Sequence, residues 1–214
     1  MSCCEHCSAT ASFFDSRVAE RERARYDRRG PRPTARGVID AIRREPLAGR
    51  TLLDIGGGIG VVGCELLAAG LDRVTLVDAA PAYIEGARKL FADRDRMNRL
   101  ETVPGNFVDL DVSRADFVSL DRVVCCYPDS EALLGRAARC AGRLLVMSVP
   151  RDRWYIRTLF SLMNLVERLR GSAFRVYVHS QAEMLATLQA AGLRRVDRTG
   201  GLFWVVEAYE RSEG

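Results

Sequence analysis

Residues 51–60 read Thr-Leu-Leu-Asp-Ile-Gly-Gly-Gly-Ile-Gly, a short apolar run that ends in four glycines within five positions. Glycine enters left-handed backbone at no steric cost and, lacking a Cβ, lets the main chain approach a neighbour closely. An apolar strand that feeds such a turn and then a helix is the opening of a βαβ unit, with the free amides of the helix start aimed past the strand end. The chain repeats the rhythm. Val74–Val77, Leu100–Val103, Asp116–Leu120 and Arg143–Val149 are further apolar strands, and Gly63–Ala69, Pro81–Ala92 and Ser130–Cys140 read as helices between them. Strands alternating with helices at this spacing predict an α/β fold built on a mostly parallel sheet with helices on both faces.

Both ends depart from that rhythm. Residues 13–29 read as one arginine-rich helix closed by Gly30-Pro31, and a second helix is expected over 34–44. Near the carboxyl end, Ser180-x-x-Glu183 is a capping box for a helix that stops at Gly192. Leu193–Thr199 and Leu202–Tyr209 flank Gly200-Gly201, which predicts an antiparallel hairpin and brings the sheet to seven strands. Between strand five and the last helix, Trp154–Leu169 carries apolar residues at helical spacing, ringed by Arg153, Arg157, Arg168 and Arg170. This helix reads either as core or as a lid over an apolar ligand, with weak contact to a membrane surface as a further option. One domain over 1–214 is expected, with cap helices in 1–49, a ligand-binding half in 50–150, an insert in 151–178 and the last helix and hairpin in 179–214.

Composition narrows the class. The 214 residues carry a formal net charge of only +4, spread along the chain, which is too little for a nucleic-acid binder with its basic stripe. No apolar run approaches the roughly 20 residues of a membrane span, and no export signal is visible, so a cytoplasmic protein is expected. Seven cysteines in that setting read as free thiols. Cys3, Cys4, His6 and Cys7 cluster, but without a second Cys-x-x-Cys they do not complete a zinc site, and no metal is expected.

The glycine turn alone is ambiguous, because Gly58-x-Gly60-x-x-Gly63 also satisfies the dinucleotide fingerprint. Asp54 separates the possibilities. A carboxylate two residues before the glycines repels a pyrophosphate laid over the turn and attracts a cationic head group. Asp78 ends the second strand, where a carboxylate can accept both hydroxyls of a ribose, and Ala79 leaves the sugar room. Asn106-Phe107 follows the third strand, and Asp121 ends the fourth, after which Arg122–Asp129 is expected to begin a helix. All four positions fall beyond the carboxyl ends of strands, where open α/β sheets bind ligands.

With Asp54, Gly56, Gly58 and Gly60 at its positions, this turn resembles motif I of class I S-adenosylmethionine (SAM)-dependent methyltransferases. The resemblance implies a Rossmann-like fold and SAM as cofactor, held by Asp54, Gly56, Gly58, Gly60, Asp78, Ala79, Asn106, Phe107 and Asp121. The second half is also similar to magnesium-protoporphyrin IX methyltransferases, through Tyr127-Pro128, Ser148-Val-Pro150-Arg151 and Phe174-Arg175-Val-Tyr177-Val-His179-Ser180, although Cys126 stands where those enzymes tend to have histidine. A small-molecule acceptor, a carboxylate or hydroxyl of a tetrapyrrole-like or other apolar compound, is then expected. Arg151 and Arg175 are candidates to clamp an anionic acceptor, Tyr26 and Tyr177 to line its pocket, and His179 and Tyr127 to act in catalysis. The competing readings are a NAD(P)-dependent oxidoreductase and a non-catalytic SAM-binding or thiol- and metal-sensing domain.

Overall fold

The computed structural model describes residues 5–212. Three helices come first: α1 (Glu5–Phe13), α2 (Ser16–Arg29) and α3 (Pro33–Ile42). The sheet is then laid down as β1 (Thr51–Ile55), α4 (Val61–Ala68), β2 (Arg73–Asp78), α5 (Pro81–Ala92), β3 (Leu100–Pro104), β4 (Ala115–Asp121), α6 (Ser130–Cys140) and β5 (Ala141–Pro150). Helices α7 (Trp154–Leu169) and α8 (Gln181–Ala190) precede the hairpin of β6 (Leu193–Gly200) and β7 (Trp204–Arg211). The seven strands run in the order β3-β2-β1-β4-β5-β7-β6. Only β7 is antiparallel to its neighbours, wedged between β5 and β6. The Rossmann-like sheet with a terminal hairpin is thus the one expected.

Strand β1 is buried on both faces, as a central parallel strand must be, and its alternation sorts the core into two layers. Leu52 packs with Val38, Ile42, Leu66 and Phe91 under α3, α4 and α5. Leu53 and Ile55 point the other way, to Leu133, Leu134, Met184 and Leu188 of α6 and α8. The strand order reverses between β1 and β4, and the crevice beyond their carboxyl ends is where such sheets take ligands.

Two local expectations need correction. Residues 13–29 are not one helix: Asp15 accepts a hydrogen bond from the Val18 amide at 2.9 Å and starts α2 afresh, leaving Phe13 and Phe14 at a corner. After Asp121 no long helix begins at once. Val124–Cys126 form a single 3₁₀ turn, Tyr127 is extended because Pro128 follows it, and α6 starts only where Asp129 caps it. The Cys3, Cys4, His6 and Cys7 group lies outside what the structure describes in full. Among the described residues, no helix is long and apolar enough to cross a membrane.

Candidate active site

A cavity of about 540 Å³ opens at the carboxyl ends of β1, β2 and β4. Its floor is the glycine turn. The Gly56 amide donates to the Val77 carbonyl at 2.7 Å, and Gly56, Gly58 and Gly60 all have positive φ, which lets the chain double back between β1 and α4. A Cβ on Gly57 would come within 2.6 Å of Asp54 Oδ2, so the backbone can lie against that carboxylate only as glycine.

Asp54 is 1% exposed. One of its oxygens accepts from Ser119 Oγ at 2.6 Å, across the β1–β4 pair, and the other is buried without a partner. Burial is the main reason its pKa rises from 3.8 to about 7, with the charges of Asp121 and Asp78 adding to it and the Ser119 hydrogen bond opposing. Asp78 is held by two amides, Gly58 at 2.9 Å and Ala80 at 2.8 Å, yet burial still pushes it up to about 6. Each of its oxygens keeps a lone pair for a further donor. Asp121 accepts from Ser148 Oγ at 2.6 Å and is likewise raised by burial. Three carboxyls held poorly solvated around one turn favour a cationic ligand with hydroxyl donors and disfavour a diphosphate.

Asn106 and Phe107 close one side. The Asn106 amide nitrogen donates to Asp109 at 2.8 Å, which leaves its oxygen as an acceptor, and the Phe107 ring lies 5.7 Å under the Arg136 guanidinium. The far side is aromatic. Phe13 stacks on Phe174 at 4.2 Å, and Phe14 packs on Tyr83 and Phe174 at 5.1 and 5.4 Å. Leu159, Phe160 and Met163 from α7 and Phe203 and Trp204 from the hairpin complete that wall, together with Tyr127 and Cys126.

Asp54, Gly56, Gly58, Asp78, Ala79, Asn106, Phe107, Asp121 and Tyr127 all line this one cavity, and Gly60 sits beneath it at the start of α4. The other sequence candidates do not line it. His179 Nε2 lies 3.1 Å from the Val124 carbonyl and 2.9 Å from that of Tyr127, so it must carry a proton there and serves as a peg for the 3₁₀ turn. Tyr177 stacks on His179, and its amide donates to the Cys125 carbonyl. Arg151 Nε donates to the Gly201 carbonyl at 2.7 Å. The Arg175 guanidinium donates to the carbonyls of Ser172 and Phe174. Tyr26 is buried with its hydroxyl on Glu65 at 2.6 Å.

Four charged residues that the sequence reading gave no role do line the cavity: Glu22, Arg25, Arg32 and Arg122. A signal existed for two of them, since Glu22 and Arg25 stand one turn apart on one face of α2.

The chain matches the model of a methyltransferase domain family over residues 22–197. It is 34% identical over 156 residues to the mitomycin biosynthesis 6-O-methyltransferase of Streptomyces lavendulae, covering 67% of this chain and 42% of that protein. The chain therefore spans about two fifths of the length of this curated relative. Its fold is similar to that of the SAH-bound magnesium protoporphyrin IX methyltransferase from Synechocystis PCC 6803 (TM-score 0.74, 19% identity, 96% of this chain and 99% of that one). It is also similar to an O-methyltransferase of neocarzinostatin biosynthesis bound to SAH and 1,4-dihydroxy-2-naphthoic acid (TM-score 0.60, 22% identity, 81% and 52%). With the family model spanning most of the chain and the glycine turn, carboxylates and sheet order in place, the protein belongs to the class I SAM-dependent methyltransferases.

Proposed function

We propose that this chain transfers a methyl group from SAM to an oxygen atom of a small aromatic acceptor. The observation that carries the reading is the Asp54 oxygen, buried and unpartnered beside a turn that admits no Cβ. Such a group is costly to leave alone and is relieved by an ammonium. In this assignment Asp54 faces the amino group of the cofactor, Asp78 takes the ribose hydroxyls, and Asn106 and Phe107 hold the adenine by an acceptor oxygen and a ring face. Bound SAM supplies an activated methyl on a sulfonium, so the protein has mainly to align the acceptor and keep water out. The helices before β1 and the segment 151–178 do the second task, closing an aromatic roof from Phe13, Phe14, Phe160 and Phe174. The relatives support oxygen as the acceptor atom, being O-methyltransferases of antibiotic biosynthesis by name.

With the Nε2 of His179 tied to two carbonyls, the reading requires no histidine base, which favours an acceptor that is already anionic or easily ionised. Calorimetric titration with SAH tests the cofactor assignment. Wild type should bind it, Asp78→Ala should lose about tenfold or more in affinity, and NADH should raise neither melting temperature. Unchanged SAH affinity in Asp78→Ala rejects the site.

A further inference from the structure

Besides its carboxyl groups, the cavity is lined by guanidinium groups. Arg25, Arg32 and Arg122 all line it. Arg32 is neutralised by Glu22, 3.3 Å away. Arg25 and Arg122 make no ion pair among the described residues. Arg25 gives one Nη to the Gly30 carbonyl at 3.0 Å, while its Nε is buried without a partner. Arg122 is held in left-handed backbone at φ 62°, a conformation that costs free energy in any residue with a Cβ. Its amide is fixed on Ser148 Oγ at 2.9 Å, and its guanidinium lies over the Trp204 ring at 5.3 Å. Strain of this kind persists where the surrounding structure enforces it, and it clusters at ligand sites.

Burial and the neighbouring charges of Arg32, Arg29 and Arg122 lower the pKa of Arg25, against an opposing pull from Glu22. A ligand carboxylate can take the donors that remain. The cofactor brings one α-carboxylate. With Glu22 on Arg32 and Asp121 near Arg122, guanidinium donors still stand outside any ion pair at the half-buried Arg25 and over Trp204, more than one carboxylate can take.

We infer that Arg25 and Arg122 form a clamp for a carboxylate on the methyl acceptor, with the acceptor's ring against Trp204, Phe203 and Phe160. The site therefore selects aromatic acids over their neutral counterparts. This rests on the cofactor assignment above only in that the second anion is counted after the cofactor's own. The fork of a guanidinium pairs with a carboxylate through charge-assisted hydrogen bonds, and a stacked guanidinium is already oriented to do so.

The test uses the full chain saturated with SAH, titrated calorimetrically with 2-naphthoate and with its methyl ester. Wild type should bind the acid about tenfold or more tightly than the ester. Arg25→Leu and Arg122→Asn should bring that ratio to within about twofold while SAH affinity is kept. Asparagine accepts left-handed backbone, so Arg122→Asn should keep its melting temperature, and a lost preference there is not lost folding. Equal affinity for acid and ester, no binding of naphthoate at millimolar concentration, or an unchanged ratio in both variants overturns the clamp. Loss of SAH binding with the acid preference intact assigns both arginines to the cofactor and overturns it equally. Failure of wild type to bind SAH would instead sink the cofactor assignment, and the same acid–ester comparison on the ligand-free chain would still decide the clamp.

Discussion

Replacing Asp54 by asparagine separates what this carboxylate does for the ligand from what it costs the fold. At about 1.4 kcal/mol per pH unit, the rise of its pKa from 3.8 to about 7 means that ionised Asp54 costs the ligand-free fold about 4 kcal/mol. The buried carboxyl keeps a proton that the unfolded chain has already released. The stability tied to that proton is therefore complete below pH 4 and is lost as the pH climbs through 7. Asparagine has no charge to bury and still offers Ser119 an acceptor. Allowing half of the full figure for relaxation around the ionised group, ligand-free Asp54→Asn should be about 2 kcal/mol more stable than wild type at pH 8. For a chain of this size that raises the melting temperature by roughly 4–8 °C. At pH 5, where little more than a third of that difference has developed, the gap should shrink to roughly 2–3 °C. The ligand pays for the gain: a charge-assisted contact to the ammonium is worth about 1.5–3 kcal/mol, so SAH affinity at pH 8 should fall about 10- to 100-fold. Calorimetric melts at both pH values and titration with SAH measure each quantity. A variant that melts below wild type at pH 8, or one that binds SAH as tightly, refutes the reasoning.

The raised values of Asp54 and Asp78 also make binding by wild type pH-dependent. The ligand's ammonium and hydroxyl donors select the ionised carboxyls, so SAH should bind more tightly from pH 5 to pH 7.5 and release protons below pH 7, measurable by titration in two buffers of different ionisation enthalpy; affinity that is flat over this range contradicts the assignment. His179→Ala orphans the Val124 and Tyr127 carbonyls and should cost about 1–3 kcal/mol on a thermal melt, with SAH affinity unchanged. A variant that melts like wild type yet loses methyl transfer from labelled SAM would return His179 to catalysis. Gly60→Ala places a Cβ 2.7 Å from Phe91 at a φ of 78° and should destabilise by about 2–4 kcal/mol, and a melt within 2 °C of wild type would refute that.

The sheet was legible because its signals are local. Every strand of the parallel half except the edge strand β3 announces itself by a buried apolar run, and the glycines after β1, the proline opening α5 and the Gly200-Gly201 pair mark where the chain must turn. The cofactor end is legible for the same reason. Asp54, Asp78, Asn106 and Asp121 each lie within two residues of the carboxyl end of a strand, and a parallel sheet brings all such positions to one edge whatever else the chain does. The misread segments are those where a short-range competitor wins. Asp15 could cap a new turn as readily as sit within a longer helix, and the cap won because it leaves Phe13 and Phe14 free to pack on Phe174 and Tyr83. Pro128 likewise overrides the helical start read after Asp121, since its ring excludes helical backbone from Tyr127.

The acceptor end was not legible, and the arginines give the physical reason. Arg151 and Arg175 are near the site in sequence, but each leaves a segment without a hydrogen-bond ladder of its own, where carbonyls go short of donors. Their guanidiniums are taken up by Gly201, Ser172 and Phe174. Arg25 projects from a helix whose amides already serve its carbonyls, so only the terminal carbonyl of Gly30 claims it and its Nε stays free. Arg122 follows a strand whose carbonyls are paired across the sheet, and its guanidinium goes to a ring instead. An arginine becomes available to a ligand when the backbone around it is self-sufficient. That condition is set by the folded neighbourhood, and neither the residue type nor its distance along the chain from a recognisable motif reveals it.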